Sequence, residues 1–208
     1  MVSTTRTMTP RQDFVFIAEN LALDLVNTQR MRDGEQVDDL EDYHALVNWL
    51  VQADIVGAAQ AKAALKKWGG SPQGRRAHEQ ACALRGALRA MAEHIVADKP
   101  TPQSSLDAIN EVLRHGITYN QVSRARGKFE KHPHTTHEEA MQLIVPIAEA
   151  AADLLCHGDL SLVKKCGNPR CILFFYDTTK NHARRWCSMA GCGNRMKAAA
   201  HYRRLHSA

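Results

Sequence analysis

Apolar side chains recur every three or four residues along most of the first 160 residues, which is the spacing of a helix with one buried face. Over residues 38–54 this pattern is clear, and Asp38 or Asp39 stands at the position of a helix cap. The same spacing predicts four more helices, over residues 58–68, 75–97, 106–113 and 136–156. Pro146 lies inside the last of them and should kink or break it.

Three stretches depart from helical spacing. Residues 14–28, FVFIAENLALDLVNT, indicate a short extended piece and one or two turns of helix, and we interpret MRDGEQ after it as a loop. Residues 117–131 alternate between the two sides of the chain, which predicts a β-hairpin with Gly127 in its turn. Residues 172–176, ILFFY, have the composition of a strand.

Charge is distributed unevenly along the chain. Its 208 residues are 44% hydrophobic and 24% charged, as in ordinary globular proteins, with a net charge of +5. Residues 161–208 hold ten Lys and Arg against one acid, Asp177, a net +9 that leaves −4 for the first 160 residues. A mildly acidic body with a basic tail indicates a polyanion-binding module joined to a second unit.

The sequence also bears on where the protein acts. It has no run of about 18 apolar residues, and its first residues, MVSTTRTMTPRQDF, lack the apolar core of a secretion signal. We therefore expect no membrane span and a cytoplasmic location. In such a reducing compartment, clustered cysteines indicate metal binding or catalysis rather than disulfides.

Four of the six cysteines form two matched pairs near the C-terminus. Cys166 and Cys171 have four residues between them, as do Cys187 and Cys192, and fifteen residues separate the pairs. Four thiolates on two glycine-containing loops suit a structural Zn²⁺ ion. An iron–sulfur cluster, disulfides and chance core positions are the alternatives. We favour zinc because the segment is basic and no export signal precedes it.

A closed four-thiolate shell leaves no coordination position for water, so we expect a structural ion and not an enzyme. We expect Cys82 and Cys156 to be core residues, and Phe174, Phe175 and Trp186 to form a small apolar pad. The predicted fold class is mainly α. A helical N-terminal domain with a small β-hairpin occupies residues 1–160, and a small zinc-binding module of short strands and a basic helix occupies residues 161–208.

Basic residues surround the second cysteine pair. The stretch after Cys192, GNRMKAAAHYRRLH, favours a helix that begins at the metal site. Arginine forks bind phosphates and guanine edges, so DNA is the expected partner, ahead of RNA because no ladder of stacking aromatics is evident. Asn194 is either a contact or a helix cap, with capping favoured. The candidate DNA-binding residues are Lys180, Arg184, Arg185, Asn194, Arg195, Lys197, Arg203 and Arg204.

Two motifs resemble known families. RRWCSMAGCGNRMK, residues 184–197, resembles the signature of bacterial CGNR zinc fingers, and the similarity extends over about residues 163–206. LALDLVNT, residues 21–28, resembles the opening motif of the ABATE domain, although Ala18-Glu19-Asn20 replaces the glycine pair often found before it. The resemblance implies a two-part, stress-linked transcription regulator. Its finger would hold zinc with the four cysteines and bind DNA.

The resemblance also implies a role for the N-terminal domain, as a helical sensor of a small-molecule effector or as a dimerisation unit that makes a homodimer. Asn20, Asp24 and Asn27 are polar groups in an apolar setting. They either line a ligand pocket or cap helices and tie the first segment to the core. Two other functions stay open: an enzyme with an unrecognised N-terminal site, and a module whose basic finger docks an acidic protein.

Overall fold

The computed structural model describes residues 14–125, 127–135 and 138–206. Within these residues the fold is mainly helical, with three antiparallel hairpins and a cysteine cluster near the C-terminus, which confirms the predicted fold class. The helices are α1 Leu21–Val26, α2 Tyr43–Gln52, α3 Ala58–Trp68, α4 Pro72–Val96, α5 Gln103–Leu113, α6 Val145–His157 and α7 Asn194–His206. The strands are β1 Gln29–Arg32, β2 Glu35–Asp38, β3 Thr118–Ala125, β4 Lys128–Thr135, β5 Val163–Lys165 and β6 Phe174–Tyr176.

Helix α4 runs through the core of the molecule. Leu84, Leu88 and Met91 on this helix are fully buried, and α1, α2, α3 and α5 pack around it. Pro146 falls in the first turn of α6, where its missing N–H breaks no helical hydrogen bond, so it marks the predicted break after a 3₁₀ turn. Within the described residues, Ala140–His157 is the one stretch long and apolar enough to cross a membrane, and half of it is buried as in a core helix.

The start of α2 differs from the expectation. Asp42 caps this helix by accepting the backbone N–H of Ala45 at 2.8 Å, so the predicted cap at Asp38 or Asp39 is wrong. Both of those carboxylates pair with arginine side chains instead. Three aspartates within five positions all match the composition of a cap, and only their tertiary partners decide between them.

Residues 29–38 form a hairpin where the sequence suggested a loop. Asp33 and Gly34 have φ values of +53° and +92°, which is the conformation of a tight two-residue hairpin turn. Strands β1 and β2 hold few apolar residues, so no alternation marked them. The buried Arg85 donates to both carboxylate oxygens of Asp38, each at 2.6 Å, and thereby fixes the hairpin to α4.

The hairpin predicted over residues 117–131 is present as β3 and β4, with Gly127 in its turn at a φ of +80°. A third hairpin, β5–β6, joins the C-terminal segment to the helical domain. Phe174 of β6 lies in the main core, whereas Phe175 beside it packs against the cysteine cluster. Because neighbouring strand residues point in opposite directions, one strand serves both cores. The C-terminal segment is therefore built onto the helical domain.

Candidate metal centre and basic helix

Four cysteine side chains converge in the C-terminal segment. Their Sγ atoms all lie within 4.8 Å of one another, and those of Cys171 and Cys187 are 3.9 Å apart. A tetrahedral Zn²⁺ ion with Zn–S bonds of about 2.3 Å holds its sulfurs about 3.8 Å apart, so the spacing fits this ion. Cys166, Cys187 and Cys192 are buried and Cys171 is half-buried. The cluster is a structural zinc site.

Backbone hydrogen bonds hold the two cysteine loops together. The Cys166 N–H donates to the Leu173 carbonyl at 2.9 Å and closes the first loop onto β6. The Gly167 N–H donates to the Arg185 carbonyl at 2.8 Å and ties the first loop to the second. The positions of the sulfurs are thus set by main-chain contacts as well as by the metal.

Several donors point at the sulfurs. The Asn168 amide and the Arg195 guanidinium donate to Cys192 Sγ at 3.3 and 3.4 Å, and the Cys187 N–H donates to Cys166 Sγ at 3.4 Å. Donors of this kind stabilise thiolates, which are the form that binds zinc.

Asp177, the one acid of the basic segment, is fully buried and organises the loop between the cysteine pairs. Its carboxylate accepts from Lys164 Nζ at 2.6 Å, from the Thr179 N–H at 3.1 Å and from the Arg184 N–H at 3.0 Å. Burial alone would raise the pKa of Asp177, but these hydrogen bonds outweigh burial and hold it well below its usual range. The charged carboxylate therefore fixes the loop.

Arg184, a candidate DNA contact, is engaged inside the protein. Its guanidinium donates to the carbonyls of Ile17 at 2.7 Å, Trp186 at 3.1 Å and Cys187 at 2.5 Å. It also lies over the ring of Phe175, 4.2 Å from the ring centre. Arg184 thus holds the second cysteine loop against the N-terminal segment. No local sequence pattern predicts a contact between residues this far apart in the chain.

Helix α7 begins at the metal site and has no buried residue. A wide turn, Met189–Gly193, leads into it, and the Ser188 hydroxyl caps the start of that turn. Asn194 is the first residue of α7, so the capping hydrogen bond expected of it is made by Ser188 instead. A Cβ at Gly193 would lie 3.2 Å from Cδ1 of the Trp186 ring, so a larger residue here would crowd that ring.

The candidate DNA-binding residues of α7 fall on opposite faces. Arg195 and Arg203 share one face, and Asn194, Lys197 and Arg204 share the other, because each residue turns the helix by about 100°. All five are exposed. The two sets of side chains therefore point in opposite directions, and a binding partner centred on one face contacts the other face only at its margins.

The remaining candidates lie in the loop before the second pair. Lys180 and Arg185 are exposed, and the Arg185 guanidinium is 5.3 Å from the centre of the Trp186 ring. Outside the cluster, Cys156 is exposed on α6, so its predicted core position is wrong. Cys82 is half-buried, with its Sγ 3.5 Å from His78 Nε2.

Comparison with protein families gives the same two-part division. A family model named ABATE and described as “Putative stress-induced transcription regulator” matches residues 19–158, more than half of the chain. The chain belongs to the ABATE family. A second model, described as “CGNR zinc finger”, matches residues 163–205, which include all four clustered cysteines. A search of curated proteins finds no match.

The opening motif of the ABATE domain contacts the finger directly. Asn20 caps α1 by accepting the N–H of Leu23 at 3.2 Å. Asn27, fully buried, donates to the Phe174 carbonyl at 2.8 Å and accepts the Phe174 N–H at 2.9 Å, as a neighbouring strand would. The amide of Asn27 therefore binds the finger's own strand β6 to α1.

Asp24 holds the segment that precedes α1. Its carboxylate accepts the N–H groups of Ile17 at 3.0 Å and Ala18 at 2.9 Å. The carbonyl of Ile17 binds Arg184, and that of Ala18 accepts the Tyr176 N–H at 2.7 Å. Burial raises the pKa of Asp24 to about 6, although these two backbone donors oppose the rise. Contacts within the protein thus engage the candidate pocket residues Asn20, Asp24 and Asn27.

Proposed function

We propose that this protein is a cytoplasmic, non-enzymatic transcription regulator that binds DNA through its zinc finger. The observation that carries the proposal is α7, which starts at the metal centre, buries no side chain and holds four Lys and Arg without an acid. A helix whose cationic side chains are all exposed is available to a partner. Arginine and lysine on a rigid helix suit the phosphates and base edges of DNA.

Lys197 and Arg204 would make the main contacts, with Arg185 and Lys180 beside them. Their face of α7 is called the outer face, and that of Arg195 and Arg203 the inner face. Arg184 would act indirectly, since its donors bind the protein itself. The ABATE domain would sense an effector or pair two subunits. A groove of about 760 Å³ supports the first role, because Val96 of the ABATE domain and Lys165 of the finger both line it.

The β3–β4 hairpin supports the second role, as a homodimer contact. Its Val122 and Phe129 side chains are 64% and 70% exposed, which is unusual for apolar residues of this size. Sedimentation of the intact chain and of a Val122→Lys variant would test it: a dimer that dissociates in the variant is expected, and a monomer in both would contradict pairing through this hairpin.

DNA binding is tested by fluorescence anisotropy with duplex DNA at several salt concentrations. The log of the binding constant should fall linearly with the log of the salt concentration, with a slope for on the order of three to six phosphate contacts. Lys197→Ala/Arg204→Ala should weaken binding and reduce that slope by about 1.8. Lys62→Ala/Lys66→Ala on α3, equal in charge, is the control and should change neither.

If the folded, zinc-loaded protein does not bind DNA even at low salt, the proposal is contradicted. The basic helix would then be tested against acidic protein partners. Under the DNA proposal, duplex DNA competes for any such partner, because both use the cations of α7.

A further inference from the structure

A second basic surface lies between the finger and the ABATE domain. One wall of this groove is the inner face of α7, where Arg195 and Arg203 stand eight residues apart. Arg170 of the first cysteine loop adds a third guanidinium, and it was absent from the candidates found in the sequence. The opposite wall is the β1–β2 turn, Asp33 and Gly34. The groove has a volume of about 720 Å³.

The ABATE wall is held rigidly. Arg85 binds Asp38 at the base of the hairpin through two hydrogen bonds of 2.6 Å, and it also donates to the Thr28 hydroxyl at 2.9 Å. Arg89 donates to the Val26 carbonyl at 2.9 Å, just before β1. The turn therefore keeps its place beside α7, and the groove is formed before any ligand arrives.

Charge and spacing fit a nucleic-acid strand. Eight residues of helix put Arg195 and Arg203 about 12 Å apart along α7. One strand of duplex DNA carries a phosphate about every 3.4 Å of its axis, so this distance spans several phosphates. Guanidinium groups bind phosphate oxygens in pairs of hydrogen bonds.

Asp33 is the exception in this basic groove. Among the described residues its carboxylate has no hydrogen-bond or ion-pair partner. The left-handed turn does not require an acid, because Asn before Gly adopts the same turn at least as readily. Asp33 is exposed, so it would lie near any anion that enters between the two walls.

We propose that one DNA strand passes through this groove, that Arg170, Arg195 and Arg203 bind its phosphates, and that Asp33 repels the strand and restrains its affinity. The ABATE domain then forms part of the DNA interface and is not only attached to it. This inference rests on the DNA binding proposed above.

The test compares Arg170→Ala and Asp33→Asn with the intact protein by anisotropy titration at several salt concentrations. Arg170→Ala should weaken binding and reduce the salt slope by about 0.9. Asp33→Asn should tighten binding about twofold at low salt and less at high salt, since the charges repel through water. Arg76→Ala and Asp54→Asn are matched controls and should change nothing; Asp54 is also exposed, with a φ of +57°.

Hydrogen exchange gives a second measurement that needs no substitution. Amides of residues 31–35 should become protected when duplex DNA binds the intact protein. Unchanged exchange there, together with unchanged affinity in both variants, would overturn the inference while Lys197→Ala/Arg204→Ala still weakens binding. Weaker binding by Asp33→Asn would overturn the repulsive role. No binding by the intact protein would remove the proposed function and this inference together.

Discussion

Helices α4 and α7 are stabilised in different ways. Helix α4 has 25 residues and buries eight of them, including Leu84, Leu88 and Met91. Helix α7 has 13 residues and buries none, and it begins two residues after the zinc ligand Cys192. Isolated helices shorter than about 12–15 residues are marginal in water, so α7 has little stability of its own.

The comparison shows what the metal makes possible. A helix held by burial must keep one face apolar, whereas a helix positioned at its first turn by four thiolates can be polar on every side. Helix α7 therefore shows cations on both faces. A polar junction joins the helical core to the finger. Its members are Asn27, Asp24 and Arg184, whose hydrogen bonds fix the finger in position against the core.

The largest effect is expected from Cys192→Ser, which removes one zinc ligand. Structural zinc contributes about 10–16 kcal/mol in zinc-finger peptides, so the variant should lose its zinc, the order of α7 and its DNA affinity. Metal content and anisotropy titration would measure these losses. Cys156→Ser, an exposed cysteine outside the cluster, is the control. Full zinc content in Cys192→Ser would show that three thiolates suffice.

Leu88→Ala tests the other half of the comparison. The side chain is fully buried on α4, so the substitution should lower the free energy of unfolding by about 2–5 kcal/mol while zinc content stays complete. Urea unfolding measures the first quantity and metal analysis the second. Glu93→Ala, exposed on the same helix, should be close to neutral. If folded Leu88→Ala releases its zinc, the stability of the zinc site depends on the packing of the α4 core.

Asn27→Ala tests the junction. It leaves the N–H and carbonyl of Phe174 buried without partners, which should cost about 2–4 kcal/mol in urea unfolding. Asn48→Ala, exposed on α2, is the matched control. Equal stabilities of the two variants would show that water replaces the Asn27 amide and that the junction contributes little.

Asp24 gives the junction a pH dependence. Its folded-state pKa of about 6 exceeds the unfolded value of 3.8, so its stabilising contribution is complete below about pH 4 and is lost as pH rises through about 6. The loss amounts to at most about 3 kcal/mol. Urea midpoints from pH 4.5 to 7.5 should therefore fall more steeply for the intact protein than for Asp24→Asn. Parallel curves would contradict the raised pKa.

The sequence predicted elements whose cause is local. Cysteine pairs at matched spacing indicated the zinc site, and apolar periodicity indicated the helices of the core. The hairpin at Asp33 and Gly34 was missed although its turn signal is local, because the strands around it lack apolar alternation. The Asp-Gly pair, which favours a two-residue turn with positive φ, was the more reliable sign in that part of the sequence.

Features that depend on distant partners could not be predicted. Arg184 has the same charge as Arg185, yet one binds a carbonyl 167 residues away and the other is exposed. Asn27 and Phe174 are 147 residues apart. Contacts between residues this far apart in sequence depend on how α1 and β6 pack. They cannot be predicted from composition or residue spacing.

The central claim is that α4 is held by burial and α7 by zinc. Hydrogen exchange of the full chain, with zinc and after its removal by a chelator, tests this most directly. We predict that amides of α7 lose their protection without zinc, while those of Leu84, Leu88 and Met91 in α4 still exchange slowly. Protection of α7 that survives removal of the metal, or equal loss in both helices, would contradict the claim.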